Sequence, residues 1–465
     1  STTIRGTTAI STRATTPKRP PDGAGYALLL LIGWALVAFA GAYRWTTVPL
    51  SLGIAALIVV VRPPVARGST RWLDGLLAIC LIVVVAQLVP LPVRVHDVLT
   101  PNGTAVAGAV ELTRSTLPRA PISIDPESTA WALALGASYI ALFWCARAIF
   151  AFGDVRRTIR GITVLGLALT VLVAVQRTTS PTLLYWTWQP LSAGAAPYGP
   201  FVNRNGLAAW LAMAVPLAIG YVVARQRSTS GTPRSLADTA ATIDATTLLL
   251  GGSACLMMGG LFGSLSRSGI FAAAIGLTAF VLIAQARITT GRAIAGVAAA
   301  LAAVVAIGAM YANPGALAMR MQETTELGEW GRRVIWRDTI EMIRDFELTG
   351  VGAGAFKRGM LVYQEGSRQF FFNHAHNEYL QILAEGGLLL AVPAALALIA
   401  GGATIVGRLR ADRAALFWMR LGAICGLIAV AVQSTFDTSL RTPADGVLFS
   451  VIAAIALHHR HDDRR

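Results

Sequence analysis

Apolar residues run in blocks along most of this chain, separated by short polar segments that carry arginine. About 12 of these blocks are near the length a helix needs to cross a bilayer. They fall near Tyr26–Tyr43, Val48–Val61, Trp72–Leu91, Thr129–Phe150, Ile162–Val175, Gly206–Val223, Thr246–Gly263, Gly269–Ala284, Ala293–Tyr311, Leu380–Ile405, Ala415–Val432 and Gly446–Leu457. The pattern predicts an all-α polytopic membrane protein. One long polar stretch, Ala312–Glu378, interrupts the series and is too long for a simple connection. Within it, Glu329–Phe346 has the spacing of an amphipathic helix, with Trp330, Val334, Ile340 and Ile343 on one face. Arg333, Arg337, Glu341 and Arg344 fall on another. The glycines of Leu348–Phe356 end it. Heptads, a solenoid period and a clear internal duplication are not found in the sequence.

Composition sharpens this picture. The 465 residues are 55% hydrophobic and only 14% charged, with a mean hydropathy of +0.60, whereas soluble domains carry about 25% charged residues. The net charge of +15 invites a nucleic-acid reading. The placement of the basic residues excludes it, because they sit in short clusters between spans, where topology is encoded. Arg62/Arg67/Arg71, Arg156/Arg157/Arg160, Arg225/Arg227/Arg234, Arg287/Arg292 and Arg408/Arg410/Arg413 occupy alternate loops. Arg5, Arg13, Lys18 and Arg19 near the start fall on the same side, as do Arg460, Arg464 and Arg465. The expectation is an even number of spans in a bacterial inner membrane with both termini cytoplasmic.

The chain then divides into a basic, disordered tail over 1–22, a helical block over 23–311, a large outer loop over 312–378, and a closing helical block over 379–465 with a short tail. Further outer loops lie near 92–128 and 177–205. The tail is not expected to be a secretory signal, since no small-residue cleavage site follows the first apolar run. Cys80, Cys145, Cys255 and Cys425 all lie in apolar runs without metal or redox spacing, and read as small core residues.

The candidate chemistry gathers on the outer side. Phe371–Leu388 reads FFNHAHNEYLQILAEGGL, which sets a titratable cluster at the mouth of an apolar span. His376 and His374 suit a general base near neutral pH. Two rival readings are a His-x-His metal site, which needs a further ligand such as Glu378, and a hydrogen-bonded structural pair. Arg267 lies in Ser264-Leu-Ser-Arg-Ser-Gly269, a polar break in an apolar hairpin with no acid nearby. It is either an anion clamp, through a fork that matches phosphate oxygens, or a snorkelling or capping residue. Arg204, in Gly199-Pro-Phe-Val-Asn-Arg-Asn-Gly206, precedes a span, where Asn203, Asn205 and free N–H groups suit an anion or ordinary capping. Arg332, Arg333 and Arg337 share their helix with Asp338, Glu341 and Asp345, so a solvated, salt-bridged face competes with ligand binding. GVGAG lacks the context of a nucleotide loop and reads as a tight turn. Asp437, at the outer end of a span, is a candidate partner for an arginine or a supporting group.

Four segments in order, GPFVNRNGLAAWL at 199–211, SLSRSG at 264–269, RRVIWRDTIEMI at 332–343 leading into LTGVGAGAF, and NHAHNEYLQILAEGGL at 373–388, resemble the O-antigen ligase and polymerase superfamily of bacterial membrane glycosyltransferases. They cover roughly the middle and C-terminal half. The resemblance implies a helical GT-C-like fold working at the outer face of the cytoplasmic membrane. It also implies transfer of a glycan from undecaprenyl diphosphate to an acceptor hydroxyl with inversion, without nucleotide, cofactor or metal. The family's histidine–asparagine pair matches His376 and Asn377, and its arginines match Arg204, Arg267 and Arg333 or Arg332. His376 and Arg267 are expected to be catalytic, with Arg204, Arg267, Arg333, Arg332 and Arg337 at the diphosphate and His374, Asn377, Glu378 and Asn205 in support. The chain departs from the family pattern at Glu385-Gly-Gly-Leu-Leu-Leu390, where a later glycine is missing. The implied partners are a lipid-linked glycan donor, a glycan or lipid A–core acceptor, membrane lipids and a chain-length regulator. The HAHNEYLQ form and the long segment near 92–128 lean toward a repeat-unit polymerase, with an O-antigen ligase as the alternative. A flippase or secondary transporter is the rival class, although matched halves are not seen.

Overall fold

A computed structural model describes residues 19–66, 68–110, 118–190, 195–229, 244–285, 287, 302, 328–365, 371–412 and 415–459. The expected span at Ala293–Tyr311 and most of the tail over 1–22 lie outside the described residues. Each other expected span has a helix. These are α1 (Ala24–Val37), α2 (Arg44–Val61), α3 (Arg71–Ala86), α6 (Pro126–Ala151), α7 (Val155–Thr179), α8 (Arg204–Thr229), α9 (Ala245–Gly263), α10 (Arg267–Gln285), α13 (Glu378–Ala411), α14 (Ala415–Gln433) and α15 (Pro443–Ala456). Between α3 and α6 lie two short helices, α4 (Val93–Leu99) and α5 (Gly103–Val110), and a two-residue antiparallel pairing of Leu91–Pro92 with Arg119–Ala120. Among the described residues, 9 helices are long and apolar enough to cross a membrane, and α1 and α15 are shorter apolar helices.

α8 is the axis of the bundle, with every residue from Leu207 to Val215 buried. Its main partner is α14, and glycines let the two backbones meet. A β-carbon on Gly220 would lie 2.4 Å from the Trp418 carbonyl oxygen, and one on Gly426 would lie 2.6 Å from that of Met213. Small residues at such contacts are how apolar helices associate without a water-driven force between them. Outward-facing residues such as Leu30, Trp72, Leu248 and Ile399 stay exposed, which suits a lipid surround.

The two ends of the bundle differ in chemistry. At one end Arg408 donates to the Ser69 hydroxyl at 3.0 Å, and Arg287 donates to the carbonyls of Leu409 and Arg410. Nearby, the buried Arg420 pairs with Asp412. This is the end of the arginine-rich loops. The opposite end gathers the turns around 38–43, 180–190, 195–203, 264–266, 373–377 and 434–442.

The large-loop helix α11 (Gly328–Asp345) forms as its periodicity predicts, but its inward face differs from the expected one. Ile335, Asp338, Thr339 and Met342 are buried, while Ile340 is 41% exposed beside Arg333 and Arg337. The inward stripe continues to Phe346 and meets α12 (Phe356–Tyr363), whose Phe356 and Met360 are buried in the same small core.

Near its start α13 is broken. Gly387 takes φ 56° and ψ −163°, and the chain segment after α11 fills the break. Leu388 and Leu389 donate N–H to the carbonyls of Glu347 and Leu348, at 2.8 and 3.1 Å. Val351 and Gly352 donate to those of Ala384 and Glu385, at 2.9 and 3.0 Å. A β-carbon on Gly387 would lie 2.4 Å from the Leu348 carbonyl. LTGVGAG is therefore the piece that completes a broken helix, not merely a turn. Gln87 locks it, donating from Nε2 to the carbonyls of Thr349 and Glu385, each at 2.8 Å, and accepting from the Ala353 N–H at 3.0 Å. α3 ends at Ala86, just before this residue, and not near Leu91 as the apolar run suggests.

Candidate functional site

His376 sits in the left-handed region at φ 50°, a conformation that costs a non-glycine residue roughly 1–2 kcal/mol. Its neighbours hold it there. The Ala375 N–H donates to Gln381 Oε1 at 2.6 Å, and the Ala375 carbonyl accepts from Trp336 Nε1 at 2.9 Å. Asn377 caps α13, with Oδ1 accepting the N–H groups of Tyr379 and Leu380 at 3.0 and 3.1 Å. The Glu378 N–H donates to the Ser434 carbonyl at 2.8 Å. The Asn-Glu step that ends the histidine motif thus fixes the start of α13 to the end of α14.

The strained backbone aims the imidazole at the loop after α14. His376 Nδ1 lies 3.2 Å from Asp437 Oδ1, and Ser439 donates to Asp437 Oδ2. Burial works against the Asp437 charge, yet the hydrogen bonds from His376 and Ser439 hold its carboxyl below the ordinary value. An ionised carboxylate only accepts, so Nδ1 carries the proton, and in the neutral ring the Nε2 lone pair is left for other work. Asp437 is therefore the partner of a histidine, not of an arginine. His374 differs. Its Nδ1 is buried and has no hydrogen-bond partner among the described residues. Burial, then the Arg441 guanidinium, pushes its ring down to about 4.

Arg441 is the cation beneath the histidines. It donates from Nε to Glu378 Oε1 at 3.1 Å and from Nη1 to Glu385 Oε2 at 2.8 Å. Burial opposes its charge, but Glu385 and Glu378 outweigh that and hold its proton more tightly than in an ordinary guanidinium. Glu378 is thus engaged by Arg441. Among the described residues, no group of three or more histidine, cysteine, aspartate or glutamate side chains is arranged to hold a metal ion.

The arginine motifs converge on this end. Ser266 donates to Asn205 Oδ1 at 2.9 Å, and Gln433 Nε2 donates to the Asn205 carbonyl at 2.9 Å. These bonds join the Arg204 loop, the Arg267 loop and the last turn of α14. Phe271, four residues into α10 from Arg267, meets Phe436 edge-on at 6.3 Å, next to Asp437. Arg204 and Arg267 each begin a helix, whose aligned peptide dipoles add positive potential; Asn203 Oδ1 accepts the Gly206 N–H at 2.9 Å and Ser266 Oγ the Gly269 N–H at 3.3 Å. Arg267 is exposed and begins α10 at the surface of the site end, a position open to either reading made of it from the sequence, an anion clamp or a snorkelling residue. From the other side, Trp336 ties α11 to Ala375, and Arg333 lies one turn away on that helix. Arg333, Trp336, Arg337, Ile340, Glu341 and Arg344 line an open cavity of about 330 Å³. Among the described residues no carboxylate lies within ion-pair distance of Arg267 or Arg333. Arg337 instead bonds Asp338 Oδ1 and Glu365 Oε2, each at 3.1 Å. Arg332 is half-buried.

Fold and site together define a multi-pass membrane protein with a histidine–carboxylate pair and helix-start arginines at one end of the bundle. A family model described as O-antigen ligase matches residues 252–395. The match supports the O-antigen ligase and polymerase superfamily that the motifs resemble. It spans Arg267, α11 and His376, and leaves Arg204, Asp437 and Arg441 outside. No curated protein matches the chain.

Proposed function

We propose that this protein transfers a glycan from an undecaprenyl-diphosphate donor to an acceptor hydroxyl at the periplasmic face of the inner membrane, in O-antigen or exopolysaccharide assembly. The observation that carries the reading is the His376–Asp437 pair at the convergence of the loops bearing Arg204, Arg267 and Arg333. The fold is read as akin to the large-loop membrane glycosyltransferases, with the arginine-rich end cytoplasmic and the histidine end periplasmic.

The acceptor oxygen attacks the anomeric carbon and its proton passes to His376 Nε2, while Asp437 steadies the imidazolium through Nδ1–H. The bond from the anomeric carbon to the diphosphate breaks, and its electron pair leaves on the diphosphate oxygen. Arg267, Arg204 and Arg333 take up that charge. A single displacement inverts the anomeric centre. Arg337 and Arg332 are assigned to the edge of the diphosphate site, and His374, Asn377, Glu378 and Asn205 hold the reacting groups in register.

The test is Arg267→Ala and His376→Ala in protein that still inserts and folds. Each abolishes transfer, and full activity in either removes that role. Two versions share this chemistry. The sequence leans to a repeat-unit polymerase, while the description of the matching family favours an O-antigen ligase. Deleting the gene separates them: single repeat units left on carrier or core mark a polymerase, and long polymer stranded on the carrier marks a ligase. Unchanged glycan pools, with counter-flow of labelled substrate, would instead mark a transporter.

A further inference from the structure

A second feature at the site end uses no residue of the proposed mechanism. The turn between α1 and α2 and the loop after α7 bring four aromatic rings together around Phe39. Its ring centroid lies 5.2 Å from that of Trp188, 5.3 Å from Tyr43 and Tyr185, and 6.0 Å from Trp45. Trp45, Trp186 and Trp188 remain 52%, 40% and 41% exposed. The polar edges of Trp186, Trp188 and Tyr185 are consumed internally. Trp188 Nε1 donates to the Tyr43 hydroxyl at 2.8 Å, Trp186 Nε1 to the Thr179 hydroxyl at 2.7 Å, and the Tyr185 hydroxyl to the Val37 carbonyl at 2.5 Å. What faces outward is rigid ring surface, with Thr187 and Gln189 exposed between and beside the tryptophans.

The backbone is strained to achieve this. Phe39, Ala40, Tyr185 and Trp186 all lie in the left-handed region, at φ 55°, 53°, 50° and 65°. Each costs on the order of 1–3 kcal/mol and persists only because the surroundings enforce it. The location is specific as well. Gly41 packs so closely on Pro443 that a β-carbon there would lie 2.3 Å from the proline ring, and Pro443 is two residues past Arg441. The loop that carries Trp186 and Trp188 leads on in the chain to Arg204.

An aromatic belt at a membrane interface keeps its polar tips toward the headgroups. Here the tips of Trp186 and Trp188 are bonded to the protein while their rings stay exposed, with amide and hydroxyl groups alongside. That arrangement suits a ring that is apolar on its faces and hydroxylated at its edge. We propose that Trp186 and Trp188 form a stacking subsite for pyranose rings of the glycan, beside the transfer site. This rests on the glycan-transfer reading above.

The test uses the full chain in nanodiscs. The probe is the delipidated polysaccharide released by mild acid from the producing bacterium. Saturation-transfer NMR on the wild type is expected to mark pyranose C–H protons. Trp186→Ala/Trp188→Ala loses that signal and raises KM for the glycan about tenfold, the effect of roughly 1.4 kcal/mol, with kcat held. Trp186→Phe/Trp188→Phe keeps a ring face and most of the binding, which separates stacking from folding. The proposal is overturned if KM is unchanged in the alanine pair. It is equally overturned if dibrominated phosphatidylcholine quenches these tryptophans while the polysaccharide has no effect, which marks a lipid anchor. Transfer by the wild type with unchanged KM in the variant removes the subsite alone. A wild type that neither transfers nor contacts the polysaccharide removes the transfer reading and the subsite with it.

Discussion

His376 Nδ1 stands 3.2 Å from Asp437 Oδ1, across 61 residues of sequence. The carboxylate fixes both the tautomer and the direction of the ring, so removing its charge leaves a histidine of the wrong protonation or aim. Asp437→Asn is expected to lower kcat by about 10²–10⁴-fold with little change in KM, the usual range for such pairs. His376→Ala/Asp437→Asn should be no worse than His376→Ala alone, because the two act as a unit. Additive losses in a transfer assay would separate the two residues.

Arg267→Lys tests shape against charge. Lysine keeps the charge and loses the two-pronged fork. Partial activity is expected from lysine and a fall of about 10²–10³-fold from alanine, the range for losing one donor to a developing anion. Equal activity in the lysine and wild-type proteins would mean that charge alone suffices.

Gln87→Leu removes a side chain that serves three backbone groups, those of Thr349, Ala353 and Glu385. Each buried group left unpaired costs about 1–3 kcal/mol. The expected result is a lower thermal midpoint in detergent and faster proteolysis in the segment over 347–355. An unchanged midpoint would show that water replaces the amide.

Gly387→Ala places a methyl against the Leu348 carbonyl in a left-handed backbone. Loss of stability and of transfer together is expected, read by unfolding and by assay. Gly402→Ala is the control, since it lies on the same helix with open space at the β-carbon.

His374 sets a pH dependence of stability. Burial lowers its folded pKa to about 4, below the value of about 6.5 in an unfolded chain. Between those values the unfolded state binds the extra proton, so stability is full above about 6.5 and falls as pH drops toward 4. The loss is about 3 kcal/mol over that window. Thermal midpoints measured from pH 7 to 4 in wild type and His374→Phe check it, and the slope should be shallower in the variant.

Much of this fold was legible because a bilayer enforces one pattern. The apolar runs and the alternating arginine loops located the helices, and the periodicity of 329–346 located α11. The inward face of α11 was misread because its buried side includes Asp338 and Thr339, which hydropathy scores as outward. For the site, Arg204, Arg267, Arg333 and His376 lay in motifs and arrive at one end of the bundle. Arg441 went unnoticed because a lone arginine between two spans looks like any loop cation. Asp437 reads in the sequence as a partner for an arginine or a supporting group, and its distance from His376 in the chain hides their contact in space. A charged residue followed within a turn by the start of an apolar span, as in Arg441-Thr-Pro-Ala-Asp445, was the available signal. Asp445 is fully buried in the first turn of α15, where an acid is costly enough to merit a search for its neighbours.

The Arg441 bridge also sets an order on assembly. Glu378 and Glu385 are synthesised 63 and 56 residues before the guanidinium that neutralises them. While the ribosome is still making α14, α13 therefore enters the membrane region with two carboxylates and no cation for them. Its first turns must wait near the aqueous boundary, or carry protons, until the final hairpin arrives. Closure of the bundle and completion of the site are then the same event, and a nascent chain halted before residue 441 holds Glu378 and Glu385 without the cation that neutralises them.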